Sequence, residues 1–250
     1  MKNQYFGDIG DYGKYALLRH LADAGIGVGI NWYLTDGDDS NDGKMTKYLK
    51  SEDSSLRSLD EGLFDSLRRL VIIEKRRNVK ASEKEALINN AIYFHDILDI
   101  KDKGSIADKR LYREEWHNRA MSALKAASLI YFDPDNGIAD EKVSAKKNSV
   151  KYLLTGEAAD YYNAGHDIVY YCHKGRRKEK AWEDYKRILK EGKNGSISQD
   201  AWLTALTYHR GVQRTFIFAI HPERRERYET LINSFAEKWH EHFEIETIQK

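Results

Sequence analysis

The residues Asp133-Pro134-Asp135-Asn136-Gly137 follow the apolar run Leu129-Ile130-Tyr131-Phe132. Pro134 fixes its own φ and carries no amide N–H, so a strand cannot continue through it. Asn136-Gly137 tolerates turn conformations that other residues resist. In an open α/β sheet, polar groups just past the carboxyl end of a strand line the ligand crevice. Two carboxylates and an amide delivered there can accept hydrogen bonds from an amino group or share a divalent cation. Asp133, Asp135 and Asn136 are therefore the candidate catalytic residues.

Two further stretches carry chemistry. Thr35-Asp36-Gly37-Asp38-Asp39-Ser40-Asn41-Asp42-Gly43-Lys44 separates a strand-like run from a helical one, the arrangement that seats a nucleotide-like ligand at a helix N-terminus. It lacks Gly-x-Gly-x-x-Gly, and its four aspartates would repel a phosphate. A cationic ligand, a ribose or an oxygen-bound metal suits it better, with Thr35, Asp36, Gly37, Asp42 and Gly43 as the candidate contacts. His173-Lys174-Gly175-Arg176-Arg177-Lys178 closes another apolar strand. Such basic clusters meet nucleic-acid phosphates, which makes His173, Lys174, Arg176 and Arg177 candidate nucleic-acid contacts.

The elements that must hold these residues follow from periodicity. Tyr15, Leu17, Leu18, Leu21 and Ala22 predict a helix opened by Asp11 as cap and stopped at Gly25. On residues alone Asp11 is that cap and Lys14 a surface lysine. Ile26 to Leu34 predicts a buried strand, Ser54 to Glu74 an amphipathic helix, and Ser82 with Glu85 a capping box opening a short helix. Ala91 to Phe94 is a short strand and Ile106 to Ala127 a long helix feeding the central strand. Ser149 predicts the cap of a helix reaching Gly165, Ile168 to Cys172 a strand, and Lys180 to Glu191 a helix. Ala201 to Tyr208 and Gln213 to Ile220 form a hairpin, Pro222 opens a last helix, and Phe243 to Ile248 is a final edge strand.

This order predicts one α/β domain over residues 1–250, with a helical insertion at about 54–90. The sheet is expected to be Rossmann-like and mostly parallel, with helices on both faces and an antiparallel C-terminal hairpin edge. Forty-one Lys and Arg balance 40 Asp and Glu, so net charge neither demands nor excludes a nucleic-acid partner. One cysteine, Cys172, rules out an intrachain disulfide and a cysteine-rich zinc site. With no signal-like N-terminus and no run long enough to span a bilayer, the expectation is a cytoplasmic protein with no membrane partner.

The element order and the Asp133-Pro134-Asp135-Asn136 tip resemble Rossmann-type S-adenosylmethionine-dependent methyltransferases acting on nucleic-acid amino groups, whose motif reads Asp-Pro-Pro-Tyr. Asp11-Tyr12-Gly13-Lys14-Tyr15 is similar to the Asp-x-x-Lys-His of the single-domain ribosomal-RNA adenine enzymes. The chain also resembles an uncharacterised bacterial family with Asn-Trp-Tyr-Leu-Thr and Asp-Pro-Asp-Asn-Gly blocks. The methyltransferase resemblance implies S-adenosylmethionine as cofactor, with Lys14 and Asp11 joining the acidic loop near it, and a base flipped towards Asp133 and Asn136. Asp135 stands for the second proline and Asn136 for the stacking aromatic.

Two other readings remain open. Asp133 and Asp135 could share Mg²⁺ in a nuclease or phosphoesterase, with Asp36, Asp42 or Glu157 completing the site. Alternatively the fold is a non-catalytic nucleic-acid-binding module.

Overall fold

A computed structural model describes residues 1–37, 43–50, 54–144, 146, 148–191 and 197–248. In chain order the elements are α1 (Ile9–Asp23), β1 (Val28–Asn31), α2 (Ser54–Leu59), α3 (Glu61–Arg68), α4 (Val79–Lys84), β2 (Ile92–Phe94) and α5 (Ile106–Leu124). There follow β3 (Leu129–Phe132), β4 (Ile138–Ala139), β5 (Leu153–Leu154), α6 (Thr155–Asn163), β6 (Asp167–Cys172), α7 (Glu179–Lys186) and α8 (Ile188–Glu191). The chain ends with β7 (Trp202–Tyr208), β8 (Arg214–Ile220), α9 (Arg225–Lys238) and β9 (Phe243–Thr247).

The main sheet runs β2-β1-β3-β6-β8-β7-β9. β2, β1, β3 and β6 are parallel neighbours, whereas β6–β8, β8–β7 and β7–β9 pair antiparallel. The expected Rossmann-like layout holds in this coarse form. The hairpin is not the sheet's edge, however: β8 lies beside β6 and β9 closes that side. β4 and β5 form a separate small ladder.

Alternation along the strands splits the core between two layers. Ile30, Tyr131, Val169 and Phe218 face one side with Leu17 and Leu21 of α1, Leu63 and Leu67 of α3, and Phe235 of α9. Ile130, Phe132, Ile168 and Ile217 face the other with Trp116 of α5, Tyr161 of α6 and Trp182 of α7. Among the described residues no helix is long and apolar enough to cross a membrane.

Local chemistry moved several boundaries. Asp8, not Asp11, caps α1, accepting from the Asp11 N–H at 2.9 Å. Asp60 caps α3 and so divides the single helix expected from Ser54 onwards. Asn78, four residues before the expected cap, caps α4 and leaves Ser82 inside the helix with its hydroxyl on the Val79 carbonyl. Ser149 opens only a 3-10 turn, because Leu153–Leu154 pairs with Ile138–Ala139 before α6 begins.

Candidate functional site

Strand order reverses between β1 and β3: from β1 the chain crosses to β2 on one side and then to β3 on the other. That is the topological switch point where open α/β sheets bind ligands. Asn31 and Phe132 are register partners, so the two carboxyl ends are level, and the Asp133 N–H donates to the Asn31 carbonyl at 3.1 Å. Just beyond, Tyr33 adopts φ 44°, a left-handed conformation that a bulky aromatic resists. Strain of this kind, about 1–3 kcal/mol, persists where surrounding structure enforces it. Here the enforcing groups are on both sides of the peptide: the Tyr33 hydroxyl donates to Glu157 at 2.9 Å, and its carbonyl accepts from the Met1 α-amino group at 3.1 Å.

The same amino group donates to the Asp133 carbonyl at 2.8 Å and pairs with Asp135 Oδ1 at 2.9 Å. The N-terminal residue thus lies across the switch point, and the Thr35 N–H donates to its carbonyl at 3.0 Å.

From the adjacent layer, α1 contributes its first two turns. Lys14 is buried, its ammonium lying 2.6 Å from Asp11 Oδ1, 2.8 Å from Asp133 Oδ2 and 5.1 Å from the Trp32 ring centre. The Tyr131 hydroxyl donates to Asp133 Oδ1 at 3.0 Å. Burial opposes the Lys14 charge, but Asp11 and Asp133 outweigh it and hold the ammonium above its ordinary range. For Asp11 burial wins over the attraction of Lys14, pushing the carboxyl up to about 6. A carboxyl tuned towards neutrality in a cleft is suited to proton transfer. Asp8 completes the chain of charges by accepting from Arg214 at 3.1 Å. Gly10 makes that approach possible, since a Cβ there would stand 1.8 Å from the guanidinium carbon.

These groups wall a cavity of about 330 Å³, within the size range of small-ligand sites. Its charged lining is balanced, with Asp8, Asp11, Asp133 and Asp135 against the Met1 amine, Lys14, Lys44 and Arg214. Tyr5, Met45, Tyr171 and Phe216 supply apolar walls. One acceptor is left over: Asp135 Oδ2 is buried without a hydrogen-bond partner, on a side chain only 9% exposed. A buried unpartnered oxygen is costly, and a ligand donor would relieve it.

The expected site residues divide. Asp11, Lys14, Gly43, Asp133 and Asp135 all line this cavity, and Lys14 is no surface residue. Thr35, Asp36 and Gly37 do not line it: Thr35 is buried against Met1, and Asp36 turns to Lys101 at 3.6 Å. Gly43 at φ 74° accommodates the chain itself, because a Cβ would meet the Gln4 carbonyl oxygen at 2.4 Å. Asn136 does not line it either, and its backbone N–H donates to the Lys151 carbonyl at 2.9 Å. Asp42 lies outside the described residues.

The basic loop after β6 is largely self-satisfied. Lys174 pairs with Glu179, and Arg177 donates to the His173 carbonyl at 2.9 Å while lying 4.2 Å from the Tyr185 ring centre. Burial and neighbouring Arg177 push His173 down, favouring its neutral form. Arg176 alone of the four is exposed. Cys172 is buried and its thiol pushed far up by desolvation, which suits packing rather than nucleophilic attack.

A shared metal fits these positions poorly. The carboxylates of Asp133 and Asp135 are already engaged by Lys14 and the Met1 amine. Glu157 is bound to Arg113 in the opposite layer, and Asp36 faces Lys101. Among the described residues no group of three or more metal-ligating side chains converges. S-adenosylmethionine fits the cavity wall by charge, since carboxylates face any sulfonium or ammonium there while Lys44 and Arg214 can take a carboxylate. It does not use the glycine-rich loop that the resemblance implied.

Sequence reasoning missed Met1, Asp8, Tyr171 and Arg214. Two glycines in the first turns of α1, Gly10 and Gly13, were the available signal, because glycine inside a helix often marks close approach of another group. The fold and the site define an α/β protein with a charge-balanced crevice at its switch point. No family model matches the chain, and no curated protein matches it.

Proposed function

We propose that the protein is a methyltransferase acting on an amino group of a nucleic-acid base. The carrying observation is the contact between Lys14 and Asp133 at 2.8 Å, which joins two motifs 119 residues apart on the wall of one cavity. Bound S-adenosylmethionine would supply the methyl group. Asp11, Asp133 and Asp135 would face its positive charges, and Lys44 and Arg214 its carboxylate.

The remaining work belongs to the chain. The unpartnered Asp135 oxygen and the Pro134 carbonyl accept from an exocyclic amine, orienting its lone pair, and alignment supplies most of what a displacement needs. Asp133, held by Lys14 and Tyr131, keeps the tip in place. Asp11 takes up the proton that an alkylated amine releases, a role matched by its carboxyl at about 6. Partly exposed Tyr171, backed by buried Phe216, offers a face for a planar ring.

Calorimetric titration of the purified chain with S-adenosylmethionine tests this directly. Saturable heat, weakened about tenfold or more in Asp135→Asn with an unchanged melting curve, is the expected result. A flat titration of folded wild-type protein sinks the reading.

A further inference from the structure

Next to the cavity, and sharing Lys44 and Met45 with it, lies an open groove of about 580 Å³ between the 3-10 turn Lys47–Leu49 and the β7–β8 turn. Lys44, Lys47, His209 and Arg210 line it, and no carboxylate does among the described residues. All four of those side chains are exposed. Glu244 faces His209 at 3.2 Å from outside the groove. The side chains of Lys47 and Arg210 make no ion pair or hydrogen bond among the described residues. Exposed Met45 and Val212 extend the rim, and Gly211 at φ 73° brings the turn against Met45, where a Cβ would stand at 3.0 Å.

We infer that this groove, rather than the loop after β6, is where the phosphodiester backbone of a single-stranded nucleic acid docks, with one base turned into the cavity. Two features favour that occupant. Among the described residues the groove's charged lining is all basic where the cavity's is balanced, the division expected between backbone contacts and the contacts that read a base. The apolar rim at Met45 and Val212 also suits unstacked bases, which a duplex would keep away from it. This inference rests on the nucleic-acid reading of the crevice, and its test is separable from the cofactor test.

Fluorescence anisotropy of a labelled single-stranded oligonucleotide is followed across salt concentration for wild type, Lys47→Gln/Arg210→Gln and Arg176→Gln. The double variant is expected to bind about tenfold more weakly. Its plot of log affinity against log salt should be shallower by about 1.4, or about 0.7 per cation removed. Arg176→Gln should stay near wild type, and melting curves should coincide. Wild-type affinity retained in the double variant overturns the proposal, as does loss confined to Arg176→Gln or absence of binding by wild type at low salt. Binding to anionic vesicles but not to the oligonucleotide overturns it too, assigning the groove to a lipid surface. Oligonucleotide binding without any S-adenosylmethionine heat leaves the groove standing and removes methyl transfer alone.

Discussion

Two buried charge clusters flank Tyr33, one on each side of the sheet, and they are built from similar parts to different ends. In the α5–α6 layer, Arg113 donates to both oxygens of Glu157, at 2.6 and 2.8 Å, and to the carbonyls of Ser149 and Tyr152 at 2.8 and 2.7 Å. Glu157 also accepts from the Tyr33 hydroxyl at 2.9 Å and the Leu154 N–H at 3.1 Å. Burial opposes the Glu157 charge, yet Arg113 holds the carboxyl below its ordinary range. In the α1 layer, Lys14 bridges Asp11 and Asp133, but Asp11 is pushed up and one Asp135 oxygen has no partner. Both clusters border open space, since Arg113 and Glu157 line a pocket of about 540 Å³ and Lys14 one of about 330 Å³. The difference lies in pairing: Arg113 and Glu157 spend their donors and acceptors on protein partners, whereas the Lys14 cluster leaves an Asp135 oxygen unspent.

The largest effect expected from this contrast is at Arg113. Arg113→Met strands Glu157 in the core, and breaking one half of such a pair costs about 3–5 kcal/mol. A loss of unfolding free energy in urea melts of less than about 1 kcal/mol would erase the distinction between the clusters. Lys14→Met should cost less, about 2 kcal/mol near pH 8, because Asp11 sits beside the cavity and can neutralise itself by taking a proton. That loss should shrink towards pH 5. An equal loss at both pH values would mean Asp11 does not protonate in response.

The clusters also predict opposite pH slopes. Glu157, lowered in the folded state, gives stability that is present above the ordinary glutamate range and disappears as acid protonates it. Asp11 has the reverse sign. Its folded carboxyl at about 6 lies above the unfolded value of 3.8, so the folded state binds the extra proton between them. Stability from this group is fullest below about 4 and falls as pH rises through about 6, by about 2–3 kcal/mol at most. Urea melts across that window should show the fall in wild type and a flatter profile in Asp11→Asn. A flat wild-type profile would contradict the buried, desolvated state of Asp11.

Much of the frame was legible because burial writes itself as continuous apolar runs: β3, β6, β7 and β8 all lie where Leu129–Phe132, Ile168–Cys172 and the hairpin runs put them. The Asp-Pro break placed the polar tip for the same local reason. What could not be read was partner choice. Asp11 looked like a cap because Asp8, three residues earlier, offers the same chemistry, and only the tertiary position of Arg214 explains which carboxylate does what. Lys14 reads as a surface lysine from its own helix; its burial depends on Asp133, 119 residues on. The basic loop after β6 looked like a phosphate site because a sequence shows charges but not the carbonyls, rings and acids that consume them.

The smallest expected change in stability, and the sharpest discriminator, is Asp135→Asn. The substitution keeps the shape and leaves the amide oxygen able to accept from the Met1 amine now 2.9 Å away. It loses a charge from that contact, and it replaces the unpartnered oxygen by an NH₂ group that donates instead of accepting. Because the wild-type oxygen is already unsatisfied, folding stability should change by no more than about 1 kcal/mol. Ligand affinity should nevertheless fall about tenfold or more, since a donor on the ligand would now face a donor on the protein. The same exchange at Glu157 has no spare acceptor to lose, only acceptors already engaged by Arg113, Tyr33 and Leu154, so Glu157→Gln should weaken the fold and leave ligand binding by the intact fraction unchanged. Urea melts paired with calorimetry on both variants separate the outcomes: if Asp135→Asn destabilises as much as Glu157→Gln, the crevice is as fully paired as the cluster across the sheet, and its open oxygen is not waiting for a ligand.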